Sequence, residues 1–155
     1  MISTWYSIIK ADETRLPDAL ADFEQIFQAG TNELNVAKGE LISEVSRQLA
    51  SKMAYYYTVL QELDAILEHF EGLFEYEKAA VIQHALKTNK HALTYSAVEK
   101  LANGDKHIYA IAQLIRDVKL QRNKMFGVVK GLETLQWQLG NITKLRVGGI
   151  EDATL

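Results

Sequence analysis

The sequence predicts an all-α protein. Two long antiparallel amphipathic helices pack together, with short helices at the N-terminus and between them, and the whole assembles into a helical oligomer. Three observations carry this. A single proline stands in 155 residues, so almost nothing interrupts a helix. Two proline-free stretches, 33–86 and 104–148, carry apolar residues at alternating three- and four-residue steps, the spacing that lines up one helix face. A helix as long as the second stretch spans on the order of 60 Å. That exceeds what a compact domain of this size needs, so its seam predicts packing against another long helix, of this chain or of a second copy.

Residues 1–10 predict a short helix or an extended arm, with Ile2, Trp5, Ile8 and Ile9 as docking residues. Pro17 needs no amide donor in a first turn, and Asp18 suits the positive end of a helix, so a helix starts there. Leu20, Phe23, Ile26 and Phe27 give it one apolar face. Gly30 is expected to end it in a left-handed cap, and Thr31 or Asn32 to cap the first long helix. The seam of that helix is Val45, Leu49, Lys52, Tyr56, Val59, Leu63, Ile66, Phe70 and Leu73, a heptad pattern with one polar member. Gly39 and Gly72 are candidate bends. Tyr55, Tyr56 and Tyr57 cannot share a face, so at least one turns from the seam toward a neighbouring helix.

Residues 87–90 read as a polar loop. Ser96 and Glu99 have the spacing of a capping box, opening a short helix that Asn103 and Gly104 end. Asp105 then caps the last helix. Its seam is Ile108, Ile111, Ile115, Val118, Met125, Val129, Leu132 and Leu139, with Arg122, Gln136 and Thr143 as polar members that would set register. Gly127 and Gly131 read as a close helix-packing position. The chain thus divides into an N-terminal arm and short helix over 1–30, a helical core and oligomerisation domain over 31–149, and a flexible tail over 150–155.

Composition excludes several chemistries. The chain has no cysteine, hence no disulfide and no thiolate site. Its longest apolar run is far short of the roughly 18 residues of a membrane span, and residues 1–13 show no secretion signal, so a cytoplasmic protein is expected. No nucleophile elbow, phosphate loop, zinc pattern or dinucleotide fingerprint is present, and no Glu-x-x-His spacing. These absences predict a non-enzymatic protein without metal or cofactor.

The net charge of −3 is unevenly spread. Residues 1–83 hold 6 Lys and Arg against 14 Asp and Glu, while residues 84–146 hold 11 against 4. Either the basic half meets nucleic acid, or an acidic helix packs beside a basic one. The acidic block Glu62, Asp64, Glu68, Glu71, Glu75 and Glu77 is expected to face solvent or a basic protein partner. Arg116, Lys119, Asn123, Lys130, Trp137, Asn141 and Lys144 follow helical steps beside the apolar seam, with Phe126 near them. Cations that neutralise phosphates and flat rings that stack on bases are what sequence-independent single-strand binding needs. Arg122, Lys124 and Arg146 extend the set of candidate nucleic-acid contacts.

The order of elements resembles the phage recombination mediator family of the UvsY type, over roughly residues 45–149. The resemblance rests on Val129-Lys130-Gly131-Leu132, on the run from Leu135 to Ile142, on Arg146 and Gly148 at the close, on 102–106 before the last helix, and on Leu73-Phe74-Glu75-Tyr76. It implies a small, helical, homo-oligomeric protein that binds single-stranded DNA and helps to load a recombinase onto strands coated with single-strand-binding protein, in the host cytoplasm if phage-encoded. The family carries basic residues where this chain has Glu71 and Leu73, so that part of the DNA-binding role does not transfer. The alternative from another class is a helical homo-oligomeric scaffold or adaptor that binds only protein.

Overall fold

The computed structural model describes residues 4–35, 42–88 and 94–149. Among these, five α-helices run as α1 (Trp5–Ala11), α2 (Leu16–Glu33), α3 (Ile42–Thr88), α4 (Tyr95–Asn103) and α5 (Lys106–Val147), with a single 3-10 turn over Glu13–Arg15. No helix of the described residues is long and apolar enough to cross a membrane.

Side chains satisfy the free amides at several starts, as helix ends require. Thr4 accepts from the Ser7 amide to open α1, and Asp12 from the Thr14 amide to open the 3-10 turn. Asp105 accepts from His107 and Ile108 at 2.8 and 3.2 Å to open α5. Pro17 and Asp18 sit in the first turn of α2, as expected. The Ser96 cap is corrected: Thr94 accepts from the Ala97 amide and α4 begins at Tyr95. Val98 and Ala102 then form its buried face, against Ile82 of α3.

The two long helices pack together along their seams. On α3 the expected residues Leu49, Tyr56, Val59, Leu63, Ile66 and Phe70 are buried, and Lys52 sits at the edge. On α5 the seam begins as expected through Ile108, Ile111 and Val118, then departs by one residue. Arg122 is half-exposed and Gln136 and Thr143 are exposed, while Gln121, Val128, Leu135 and Ile142 are buried. From Val118 onward the buried set is therefore 118, 121, 125, 128, 132, 135, 139 and 142, a strict heptad with Gln121 as its one polar member, and Val129 is buried beside it. Fully burying a Leu, Ile, Phe or Met side chain contributes about 1.5–3 kcal/mol, so a seam with three polar residues would have forgone much of this.

Interactions between α3 and α5 fix their relative register. Tyr57 meets Glu133, Asp64 meets Arg122, Glu71 meets Lys119 and Glu77 meets His107.

Helix α2 lies on this pair, burying Leu16, Ala19 and Phe23. It does not end at Gly30, as expected, but runs on to Glu33, with Thr31 bonded to the Phe27 carbonyl inside its last turn. Gly30 is buried because α2 comes closest there: a Cβ on it would stand 2.7 Å from Val128 Cγ1 and 2.9 Å from the Tyr56 ring. A Cβ on Gly131 would stand 2.7 Å from Leu34, so Gly131 is a close-packing position, whereas Gly127 has nothing within 4 Å. Helix α1 docks on α3 through the Tyr6 amide, which donates to Glu62 at 3.1 Å, and through Ile9, which is fully buried. Gly39, the tail 150–155 and residues 89–90 of the loop expected over 87–90 lie outside the described residues; Lys87 and Thr88, expected in that loop, instead form the last turn of α3.

Candidate interaction surfaces

The basic residues of α5 do not form one free stripe. Arg122 Nε donates to Asp64 Oδ1 at 2.8 Å, and Lys119 reaches Glu71 at 2.8 Å. Lys124 points the other way, to Glu24 of α2 at 2.7 Å, with its ammonium over the Phe27 ring at 5.4 Å. Lys130 holds Glu133 at 2.7 Å on its own helix. Arg116 lies over the Tyr109 ring at 6.0 Å. Lys144 and Arg146 are exposed in the last turns. Of the cations expected to touch phosphate, four thus hold carboxylates of the same chain.

The acidic block is divided in the same way. Glu62 takes the Tyr6 amide, Asp64 and Glu71 take cations of α5, and Glu77 lies 3.7 Å from His107. Glu68 and Glu75 are exposed. A heptad position that repeats through residues 57, 64 and 71 on α3 faces α5 at its flank, which is why these carboxylates turn inward from a block that reads as solvated.

Aromatic rings organise what stays outside. Phe126, 40 % exposed, sits between the Arg122 guanidinium at 5.3 Å and the Lys130 ammonium at 5.5 Å, a geometry in which the ring face attracts both cations. Both cations are also tied to carboxylates, so the cluster is electrically balanced. Its bonds move the titrations of its members. The Lys130 ammonium, and behind it the Tyr57 hydroxyl, hold the Glu133 carboxyl below its ordinary range, while Glu133 raises both Lys130 and Tyr57. Trp137 is 70 % exposed and makes no such cluster. Lys130, Trp137 and Lys144 stand seven residues apart, so they share the outer face of α5, opposite Leu135 and Leu139.

Of the concavities that border these surfaces, two lie against α5. One, of about 530 Å³, lies between α3 and α5 and is lined by Glu71, Phe74, Glu75, Ala112, Ile115, Arg116 and Lys119. The other, of about 220 Å³, lies beyond the end of α2 and includes Glu33, Lys52, Leu132 and Leu135. There the Glu33 carboxylate stands 3.8 Å from Lys52. Burial, and then Glu33, push the neighbouring Tyr56 phenol up to about 12. No group of three or more His, Asp or Glu placed to hold a metal occurs among the described residues.

Sequence reasoning misses the pairing of Lys124 with Glu24 and of Arg122 with Asp64. Those partners are 100 and 58 residues distant, beyond any local pattern. No family model, curated protein or solved structure matches this chain.

Proposed function

We propose that this protein is a non-enzymatic helical scaffold or adaptor. It works through the faces of two long antiparallel helices and binds protein, including further copies of itself. One observation carries this reading: Lys119, Arg122, Lys124 and Lys130, half of the residues expected to meet phosphate or bases, are bonded to Glu71, Asp64, Glu24 and Glu133 of the same chain. To bind phosphate each would first give up a carboxylate 2.7–2.8 Å away. The charge asymmetry of the sequence then serves helix pairing rather than nucleic acid.

A second reading keeps the recombination-mediator resemblance. It is favoured by Trp137, which stands exposed between Lys130 and Lys144 on the outer face of α5, the aromatic-and-cation pattern that holds single strands. In that reading recombinase and single-strand-binding protein are the protein partners, and the site of action is the host cytoplasm.

Fluorescence anisotropy of a labelled single-stranded oligonucleotide separates the two, titrated at low and at near-physiological salt. The scaffold reading expects no binding at either. Binding that weakens steeply with salt, as counterion release demands, would replace it with the mediator reading.

A further inference from the structure

Between α3 and α5 the charges form a ladder with one rung left open. Asp64 bonds Arg122 and Glu71 bonds Lys119, each across the two helices at 2.8 Å. One helical turn beyond Glu71 on α3 and one turn before Lys119 on α5, Glu75 and Arg116 line the same cleft of about 530 Å³. No ion pair joins them among the described residues, and Arg116 leans back over Tyr109 instead. Both are exposed, and the floor between them is Phe74, Ala112 and Ile115, all half-buried. An open apolar floor flanked by an acid on one wall and a cation on the other is a surface that a partner with the opposite order of charges can cover.

The chemistry of that partner follows from the polarity of the walls. The acid belongs to α3 and the cation to α5. A second copy turned through half a revolution about an axis that runs along the cleft, parallel to the two helices, brings its Arg116 over the first copy's Glu75, and its Glu75 over the first copy's Arg116. A twofold contact requires such self-complementarity, since each residue type meets its complement twice. The two apolar floors then cover each other.

We propose that this cleft is the contact between two copies of the chain. Burial of Phe74 and Ile115 supplies the attraction, and the two reciprocal Glu75–Arg116 pairs set the orientation. Exposed ion pairs add little affinity, but like charges placed face to face are strongly disfavoured, so orientation is where they act. This rests on the scaffold reading and names one surface of it.

Sedimentation velocity over a concentration series tests it, on the full chain and on Glu75→Arg and Arg116→Glu, with circular dichroism to verify that helix content is kept. The wild type is expected at twice the chain mass of 17.5 kDa. Each single reversal sets two pairs of like charges against each other and is expected to weaken the dimer by at least about tenfold. An equimolar mixture of the two variants is expected to recover a 1:1 dimer. There the arginine introduced on α3 of one copy meets the glutamate introduced on α5 of the other, and the native Arg116 of the first meets the native Glu75 of the second. A role confined to one chain cannot produce that recovery. An oligomer unmoved by either reversal overturns this surface and leaves the scaffold reading standing. A wild type that remains monomeric to about 100 µM, a concentration at which a contact worth more than about 5.5 kcal/mol would show, overturns the dimer and self-assembly together, leaving the cleft to a different protein. Two weakened variants that fail to recover on mixing also overturn it.

Discussion

Tyr57 and Glu133, 76 residues apart in the chain, are joined by a hydrogen bond of 2.7 Å from the phenol to the carboxylate. The other oxygen of Glu133 takes the Lys130 ammonium, also at 2.7 Å. Lys130 and Arg122 both lie against the Phe126 ring, and Arg122 returns to Asp64 on α3. Two of the ties between the long helices thus stand on one flank with a ring and two cations between them.

Because Glu133 serves two donors, removing either one leaves the other in place. Tyr57→Phe and Lys130→Met are each expected to lower the melting temperature slightly, and Glu133→Ala, which removes the acceptor of both bonds, by more than either. In a double-mutant cycle, Tyr57→Phe should cost less in the Glu133→Ala background, which has no acceptor for the phenol, than in the wild type. Equal costs in the two backgrounds would mean that the bond contributes nothing in solution.

The glycines make a sharper test of packing. Gly30→Ala drives a methyl group toward Val128 and the Tyr56 ring, both buried, and is expected to destabilise by about 1–3 kcal/mol as overpacking does. Gly127→Ala and Gly140→Ala meet nothing within 4 Å and lie inside α5, so each is expected to stabilise by about 0.8–1 kcal/mol through helix propensity. Gly131→Ala meets only the end of Leu34, which can swing aside, so it should fall between these. Urea denaturation of the four variants reads all of this.

Much of the fold is legible because heptad seams are local. The α3 seam follows from spacing through its middle, from Leu49 to Phe70, while its expected ends Val45 and Leu73 are half-buried and Leu60 and Ile82 are buried outside it. On α5, two registers share positions 118, 125, 132 and 139, and the expected seam places 122, 129, 136 and 143 between them. The register the structure adopts, through 121, 128, 135 and 142, holds three apolar residues against one, a signal present in the sequence. Gly30 is ambiguous because a helix stop and a close approach use the same residue, and only the position of Tyr56 and Val128 decides between them. The surfaces are less legible. Whether Lys119 meets a phosphate or Glu71 depends on the register between two helices distant in the chain, which no spacing within either helix encodes.

Gln121 is 5 % exposed and its Nε2 finds no hydrogen-bond partner, although the Glu24 carboxylate lies toward it. An unsatisfied buried amide costs about 1–3 kcal/mol. Gln121→Met, of similar shape, is expected to raise stability by about 1 kcal/mol in urea denaturation. A loss of stability would show that water or Glu24 satisfies the amide in solution.

Trp137 should behave as a surface residue. Trp137→Ala is expected to change stability by less than about 0.5 kcal/mol, whereas Leu132→Ala, at a fully buried position of the heptad run, should cost about 2–5 kcal/mol. In a Trp5→Phe background the remaining indole should emit as a solvated one. A blue shift on adding a single-stranded oligonucleotide would favour the mediator reading over the scaffold.

Acid and alkali should act on different residues. Glu24 and Glu133 are held below their ordinary range, Glu24 first by its bond to Lys124 and Glu133 first by its bond to Lys130. A carboxyl that binds its proton less readily folded than unfolded contributes stability above the unfolded value and loses it as pH falls. The melting temperature should therefore decline as pH drops below about 4.5, the ordinary value, and Glu133→Gln should make that decline shallower. Tyr56 runs the opposite way. Its phenol is raised from 10.0 to about 12 by burial and then by Glu33, so its contribution is complete below pH 10 and is lost as pH rises toward 12. A spectrophotometric titration of the tyrosines should show one group ionising last, together with the loss of helix. In Tyr56→Phe that last step should vanish. If it persists, another tyrosine is the buried one, and the packing of Gly30 against Tyr56 is wrong as well.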